Sequence, residues 1–242
     1  MDIYTILKNY LHEQLSRNNL LNDRVEVKGK VLSNEEAIGN PERRDFPLLK
    51  GKEKLLEADY KGTKGQAYTD SPYSSSGILQ DFLDMPMRSN FEKAAFIAVL
   101  NAVMRHLDLI EGTVHCKNEE ISQCAQKLVQ HLQEKYGCPK IGLIGLQPAI
   151  LEYISKAFPV RVVDLDPDNV GQRKSGVIVE DATKNTTDMI EWCDLLLVTG
   201  STVANGSIVD FLGIEKPVVF FGTTIAGTAK VLGLERFCAC SA

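Results

Sequence analysis

From Lys140 onward the chain carries five short apolar runs, KIGLIGL, VRVVDLD, SGVIVED, DLLLVTG and KPVVFFG, separated by stretches long enough for a helix. Strands covered on both faces read as continuous apolar runs, and the intervening lengths suit the crossover helices that parallel strands require. This alternation predicts a Rossmann-like α/β unit built on a parallel sheet. It leaves few other architectures open to the second half of the chain.

The first half has a different texture. Ile3, Ile6, Leu7, Tyr10, Leu11 and Leu15 recur at helical spacing, and Arg24 to Leu32 alternates apolar and polar residues as a half-exposed strand does. Residues 39 to 77 are rich in Gly, Pro, Ser and charge, with short apolar islands suited to strands and long loops. A short helical pattern over Ile78 to Leu83 precedes a strong one in SNFEKAAFIAVLNAVMRHL. There Ser89 and Glu92 have capping-box spacing, and apolar residues fall on almost every face, which predicts a central, buried helix. Asn118 is the expected cap of a further helix striped by Ile121, Cys124, Ala125, Leu128, Val129, Leu132 and Tyr136 and ended by Gly137 and Pro139. The change in texture near Gly112 predicts an α+β domain over residues 1–112 and the parallel-sheet domain over 113–242.

The 242 residues hold 27 Lys+Arg against 32 Asp+Glu, a net charge of -5. That balance disfavours nucleic acid or an anionic membrane as partner. The N-terminal segment has neither the basic start nor the apolar run of a secretory leader, so a cytoplasmic setting is expected. In a reducing compartment the six cysteines are free thiols or metal ligands.

Two strand-to-helix turns resemble each other: Gly200-Ser201-Thr202, followed by Asn205, and Gly222-Thr223-Thr224. Glycine allows backbone to approach a ligand, and hydroxyls beside free N–H groups hold polar ligands where strands of an open α/β sheet end. The plain alternative is ordinary helix capping by Ser and Thr. Gly142 to Pro148 lacks the three-glycine dinucleotide fingerprint, yet Asp164 follows Gly145 by 19 residues, where an acid often meets a ribose hydroxyl. Asp164, Asp166 and Asp168 could equally organise a turn around Pro167. His115-Cys116, just ahead of a helix, are donors that suit Zn, Cu, Ni or Co, although the chain has no C-x-x-C pair. Cys124 lies on an apolar stripe and reads first as a small core residue. Arg43, Arg44, Asp45, Lys50, Lys52, Glu53 and Asp70 crowd a loop-rich stretch that reads as a solvated face, except that Asp70 ends the short strand GQAYTD and is a candidate cleft carboxylate. Asn101, inside an apolar helix, needs a partner once buried.

Taken together, RRDFPLLKGKEKLLEA, GQAYTD, AVLNAV, TVHC, VVDLDPDNVG and VTGSTVANGSI resemble a bacterial and archaeal family of unknown function whose description reads "putative heavy-metal chelation". The resemblance implies an enolase N-terminal-like α+β domain followed by a Rossmann-like domain, with a site in the cleft between them. It carries no enolase activity with it, since the barrel that holds that enzyme's chemistry is missing here and fold does not transfer function.

Two functions follow. The first is a metal-handling or metal-dependent protein that binds a transition-metal ion or its chelate in the cleft through His115 and Cys116. The second is an enzyme on a nucleotide-like or other anionic small molecule held by the Gly-Ser/Thr-Thr turns, with Asp70 or Cys116 as the reactive group. A sensor that binds a metabolite without chemistry uses the same residues. The expected partner is a small molecule or a metal ion, and a homo-oligomer is compatible with every reading.

Overall fold

The computed structural model describes residues 2–28, 38–40, 42, 45, 54–71 and 74–242. The continuation of the first strand to Leu32 and the charged residues Arg43, Arg44, Lys50, Lys52 and Glu53 lie outside the described residues.

The fold is mixed α/β with two sheets. In chain order the first part comprises α1 (Ile3–Arg17), β1 (Arg24–Lys28), β2 (Lys54–Tyr60), β3 (Thr63–Thr69), β4 (Ser75–Ile78), α2 (Leu79–Asp84) and α3 (Asn90–His106). Its four strands form an antiparallel sheet in the order β3-β2-β1-β4. The second part comprises α4 (Glu120–Tyr136), β5 (Ile141–Ile144), α5 (Pro148–Ala157), β6 (Val160–Asp164), β7 (Arg173–Lys174), β8 (Val177–Asp181) and α6 (Ala182–Trp192). It continues with β9 (Leu195–Thr199), the single turn α7 (Thr202–Asn205), a 3-10 turn (Ser207–Phe211), β10 (Val218–Phe221), α8 (Ala226–Leu232) and β11 (Arg236–Phe237).

All five apolar runs after Lys140 contain strands. The second sheet has the order β11-β10-β9-β5-β6-β8-β7 and is parallel except for the two-residue edge strand β7, which runs antiparallel to β8. From β5 the chain steps outward to β6 and β8, then returns to β9 on the other side. The order therefore reverses between β5 and β9, and open α/β sheets leave a crevice beyond the strand ends at such a point.

The expected central helix, α3, lies between the two sheets, with every residue from Ala94 to Met104 buried. Its capping box forms as the Ser89/Glu92 spacing predicts: Ser89 Oγ accepts from Glu92 N, and Glu92 Oε2 accepts from Ser89 N. Ala94, Ala95, Ala98 and Ala102 keep its surface small, and Gly65 in β3 meets it so closely that a Cβ there would collide with Ala98 O and Ala102 N. One apolar core consequently runs from Leu7 and Phe82 through Phe96 to Val198, Phe220 and Ile225, crossing the position of Gly112 in the sequence. A second core lies on the other face of the parallel sheet, beneath α4 and α5. Helix α1 adds a tie of its own, since the Tyr4 hydroxyl donates to Val203 O at 2.7 Å.

Two local expectations are corrected. Asn118 does not cap α4; it sits in the left-handed region at φ 53°, with Oδ1 accepting from Asn40 N, and the helix begins after Glu119 without a side-chain cap. Ile78 ends β4, so α2 starts one residue later than the pattern suggests. Among the described residues no helix is long and apolar enough to cross a membrane.

Candidate functional site

Four of the sequence motifs meet at one junction. The TVHC segment runs alongside β3: Gln66 N donates to Thr113 O (3.0 Å), Thr113 Oγ1 to Lys64 O (2.6 Å) and His115 N to Gln66 Oε1 (2.7 Å). On the other side Tyr68 N donates to Thr224 Oγ1 at 3.1 Å, joining GQAYTD to the second Gly-Thr-Thr turn. The Asn101 amide from AVLNAV fills the centre: Nδ2 donates to Gln66 O, Thr223 O and Thr224 O (3.1, 3.3 and 3.1 Å), while Oδ1 accepts from Gly227 N. Arg236 closes the edge by donating to Glu111 O, Gly112 O and Gly222 O.

Beside this junction a cleft of about 920 Å3 opens over the carboxyl ends of β5, β6, β9 and β10. Its lining combines the apolar side chains of Ile121, Ala125, Leu128, Ile150 and Phe237 and the thiols of Cys116, Cys124 and Cys238 with the polar groups of Gln147, Thr183, Thr186, Thr199, Ser201 and Ser207. Asp70, Asp164, Asp166 and Asp210 supply its charge, and no lysine or arginine is among the described residues that line it.

The candidates named from the sequence fare differently. Asp70 is exposed at the rim, where its carboxylate accepts from Asn90 Nδ2 and Ser71 Oγ. Asp164 lines the cleft but is already committed, holding Leu146 N (2.6 Å), Asp166 N (2.7 Å) and Asn169 Nδ2 (3.3 Å). That is the turn-organising role, with any ligand contact left to remaining lone pairs. Gly200 and Ser201 line the cleft, yet a Cβ on Gly200 would sit 2.9 Å from Ile225 N and 3.0 Å from Phe221 O, so the glycine is already required by packing. Thr202 Oγ1 donates to Thr199 O, and Asn205 Oδ1 accepts from Ser207 N and Oγ. Gly222 takes φ 101°, a left-handed geometry natural to glycine. Thr223 is fully buried and is not among the cleft-lining residues, whereas Thr224 lines it.

His115 and Cys116 both line the cleft, with the Tyr68 ring edge-on to the imidazole at 5.7 Å. His115 Nδ1 is 2.6 Å from Cys116 O, so it donates to that carbonyl, and burial pushes its pKa down and keeps the ring neutral. All six cysteines are free thiols. Cys124 is more than a core residue: it lines the cleft with Cys116 and Cys238, and the Cys116 thiol, together with burial, pushes its pKa up to about 11. The thiol of Cys124, then burial, pushes Cys238 up as well.

Across the described residues no three or more His, Cys, Asp or Glu side chains are arranged to hold a metal ion. Among the described residues, His115 and Cys116 thus have no further such donors arranged with them for Zn, Ni or Co, ions that want four or more. Tyr68, Gln66, Gln147 and Cys238 are site residues that sequence reasoning missed. Gln66 had a signal, a side-chain amide in the middle of a strand; fully buried, it also donates to Glu57 at 2.8 Å.

The comparisons agree with the motifs. The model of the DUF364 family, described as "Putative heavy-metal chelation", matches residues 127–233, a little under half of the chain. A crystal structure of a DUF364 protein of unknown function from Pyrococcus horikoshii superposes with a TM-score of 0.56 at 15% identity, covering 92% of this chain and 79% of that one. A second, from Desulfitobacterium hafniense, gives a TM-score of 0.50 at 12% identity over 74% and 73% of the two chains. The fold is thus one found in that family, and the family read from the motifs is the one both neighbours represent. No curated protein matches the sequence.

Proposed function

We propose that the cleft binds a small organic chelator together with its metal ion, so that the protein handles the metal as a complex. The observation that carries this reading is the mismatch between charge and coordination. Every charged group of the described lining is a carboxylate, which favours a ligand bearing positive charge over a nucleotide or another polyanion. Yet among the described residues no donor set closes around a divalent ion, and in this reading the ligand supplies the remaining donors. A cleft of about 920 Å3 has room for one, with apolar side chains to meet its body and hydroxyls to meet its polar groups.

In this reading residues 1–112, the enolase N-terminal-like unit, give Asp70 and Tyr68 to one wall. The Rossmann-like unit, residues 113–242, gives the strand-end turns and His115-Cys116. Six free thiols suit a reducing cytoplasm.

Calorimetric titration with Zn2+, Ni2+ and Co2+ salts tests it. The bare ions should bind wild-type protein no better than they bind the double variant His115→Ala/Cys116→Ser. Stoichiometric uptake of a bare ion that the double substitution abolishes would overturn the reading.

A further inference from the structure

His115 is held from its backbone and from its ring. Lys64 Nζ pairs with Glu57 Oε1 at 2.8 Å, and Glu57 Oε2 accepts from Gln66 Nε2 at 2.8 Å. A carboxylate only accepts, so the Gln66 amide turns its NH2 toward Glu57 and leaves its carbonyl Oε1 to take the backbone N–H of His115. The imidazole in turn gives its Nδ1 proton to Cys116 O and meets the Tyr68 ring edge-on. That tautomer leaves a lone pair on Nε2. Among the described residues no protein group takes it up, since the only hydrogen bond of the ring is the one at Nδ1. The polar side-chain atoms enclosed without a partner belong to Arg105, Thr223 and Thr228, not to His115. Nε2 therefore opens onto space, and the space that His115 lines is the cleft.

We infer that the organic ligand carries a protonated amine and that His115 selects it, Nε2 accepting one of the amine's N–H bonds. A ring whose Nδ1 proton is already given away offers the cleft an acceptor and no donor, so a carboxylate or phosphate oxygen placed there would leave Nε2 unpaired. Among groups that donate, the surroundings favour a cation, because the charged groups of the described lining are the carboxylates of Asp70, Asp164, Asp166 and Asp210. Ile121, Leu128 and Phe237 suit the methylenes that carry such an amine. The inference deepens the chelate reading and rests on it for the presence of an organic ligand.

The test uses metal-free probes on the same hexamethylene chain, so that the chelate reading stands or falls separately, on its own measurement of metal and ligand. They are hexamethylenediamine, its bis(trimethylammonium) analogue hexamethonium, and the dianion suberate. In calorimetric titration of the full, untagged chain the diamine should bind. Hexamethonium, which keeps the charge but has no N–H, should bind at least about tenfold more weakly, the scale of one hydrogen bond to a charged group, and suberate not at all. His115→Asn can keep the bond to Cys116 O but has nothing at the Nε2 position, and should weaken the diamine by at least about the same factor. His115→Gln, whose carbonyl reaches that position, should recover most of the loss. Nitrogen NMR of wild-type protein labelled at histidine gives a reading that needs no variant: the diamine should shift the His115 Nε2 resonance, and hexamethonium should not. Diamine binding no tighter than that of hexamethonium or suberate, unchanged affinity in folded His115→Asn, or an unmoved Nε2 resonance would overturn the proposal.

Discussion

Asn101 Oδ1 accepts a hydrogen bond from the backbone N–H of Gly227 at 2.8 Å, joining the helix between the sheets to the start of α8 across 126 positions of sequence. The same amide satisfies three carbonyls, at Gln66, Thr223 and Thr224. Truncation would leave several buried polar groups without partners, each a loss of about 1–3 kcal/mol. Asn101→Ala should therefore destabilise the protein by about 2–4 kcal/mol in urea denaturation. Asn101→Asp should do no better, because a carboxylate would face three carbonyl oxygens. A loss below about 0.5 kcal/mol for Asn101→Ala, within the range of ordinary surface changes, would mean that the junction does not depend on this amide.

Gly65 and Gly62 lie three residues apart and should respond in the opposite order to the one backbone angles suggest. Gly62 has φ +82° but open space around it, so Gly62→Ala carries only left-handed strain, about 1–2 kcal/mol. Gly65 has ordinary backbone, but its added methyl would strike the backbone of α3 at Ala98 and Ala102. Overpacking against backbone puts Gly65→Ala at about 3 kcal/mol or more. Thermal unfolding of the two variants side by side checks the ranking.

Gly200→Ala should lower stability as well as any ligand binding. Its Cβ would lie 2.9 Å from both Ile225 Cβ and Ile225 N, and only the side chain can move aside. A variant with wild-type melting temperature would show that the β9 turn relaxes freely away from α8.

Glu92 makes one contribution to stability depend on acid. The backbone N–H of Ser89 is the main reason that its pKa is held below the ordinary 4.5. A depressed carboxylate stabilises the fold fully above the unfolded value, and the contribution disappears as pH falls through the folded one. Glu92→Gln should be less stable than wild type at pH 7 by no more than about 1 kcal/mol, given its exposure to solvent, and the gap should close as pH falls below 4.5. A gap that persists at pH 3 would exclude the charge as its origin.

What the sequence disclosed were features set by local pattern. The strands after Lys140 are continuous apolar runs, the Ser89 and Glu92 cap is a spacing, and a helix apolar on nearly every face has to lie inside. Asn118 shows the limit of such reasoning. It has the chemistry of a cap, but a left-handed backbone and the Asn40 N–H give its amide another use. That Cys124 and Cys238 line one cleft, or that Gln66 meets His115, is fixed by where distant segments pack, and no periodicity encodes it. For Asp164 the residue type was legible and its role was not, because the same carboxylate suits a ribose or three turn donors. The N–H groups of Leu146 and Asp166 and the amide of Asn169 now occupy it.

The most direct test of the chelate reading is to measure metal and organic ligand in the same untagged preparation, by elemental analysis and by small-molecule mass spectrometry after denaturation. Wild type and Ser201→Tyr, whose larger side chain would project from the lining of the cleft, are compared at matched melting temperature. The account predicts a divalent metal and an organic molecule in equal molar amounts in wild type, and both lost together in Ser201→Tyr. A divalent metal retained with no organic molecule, or equal amounts of both in the two proteins, would contradict it.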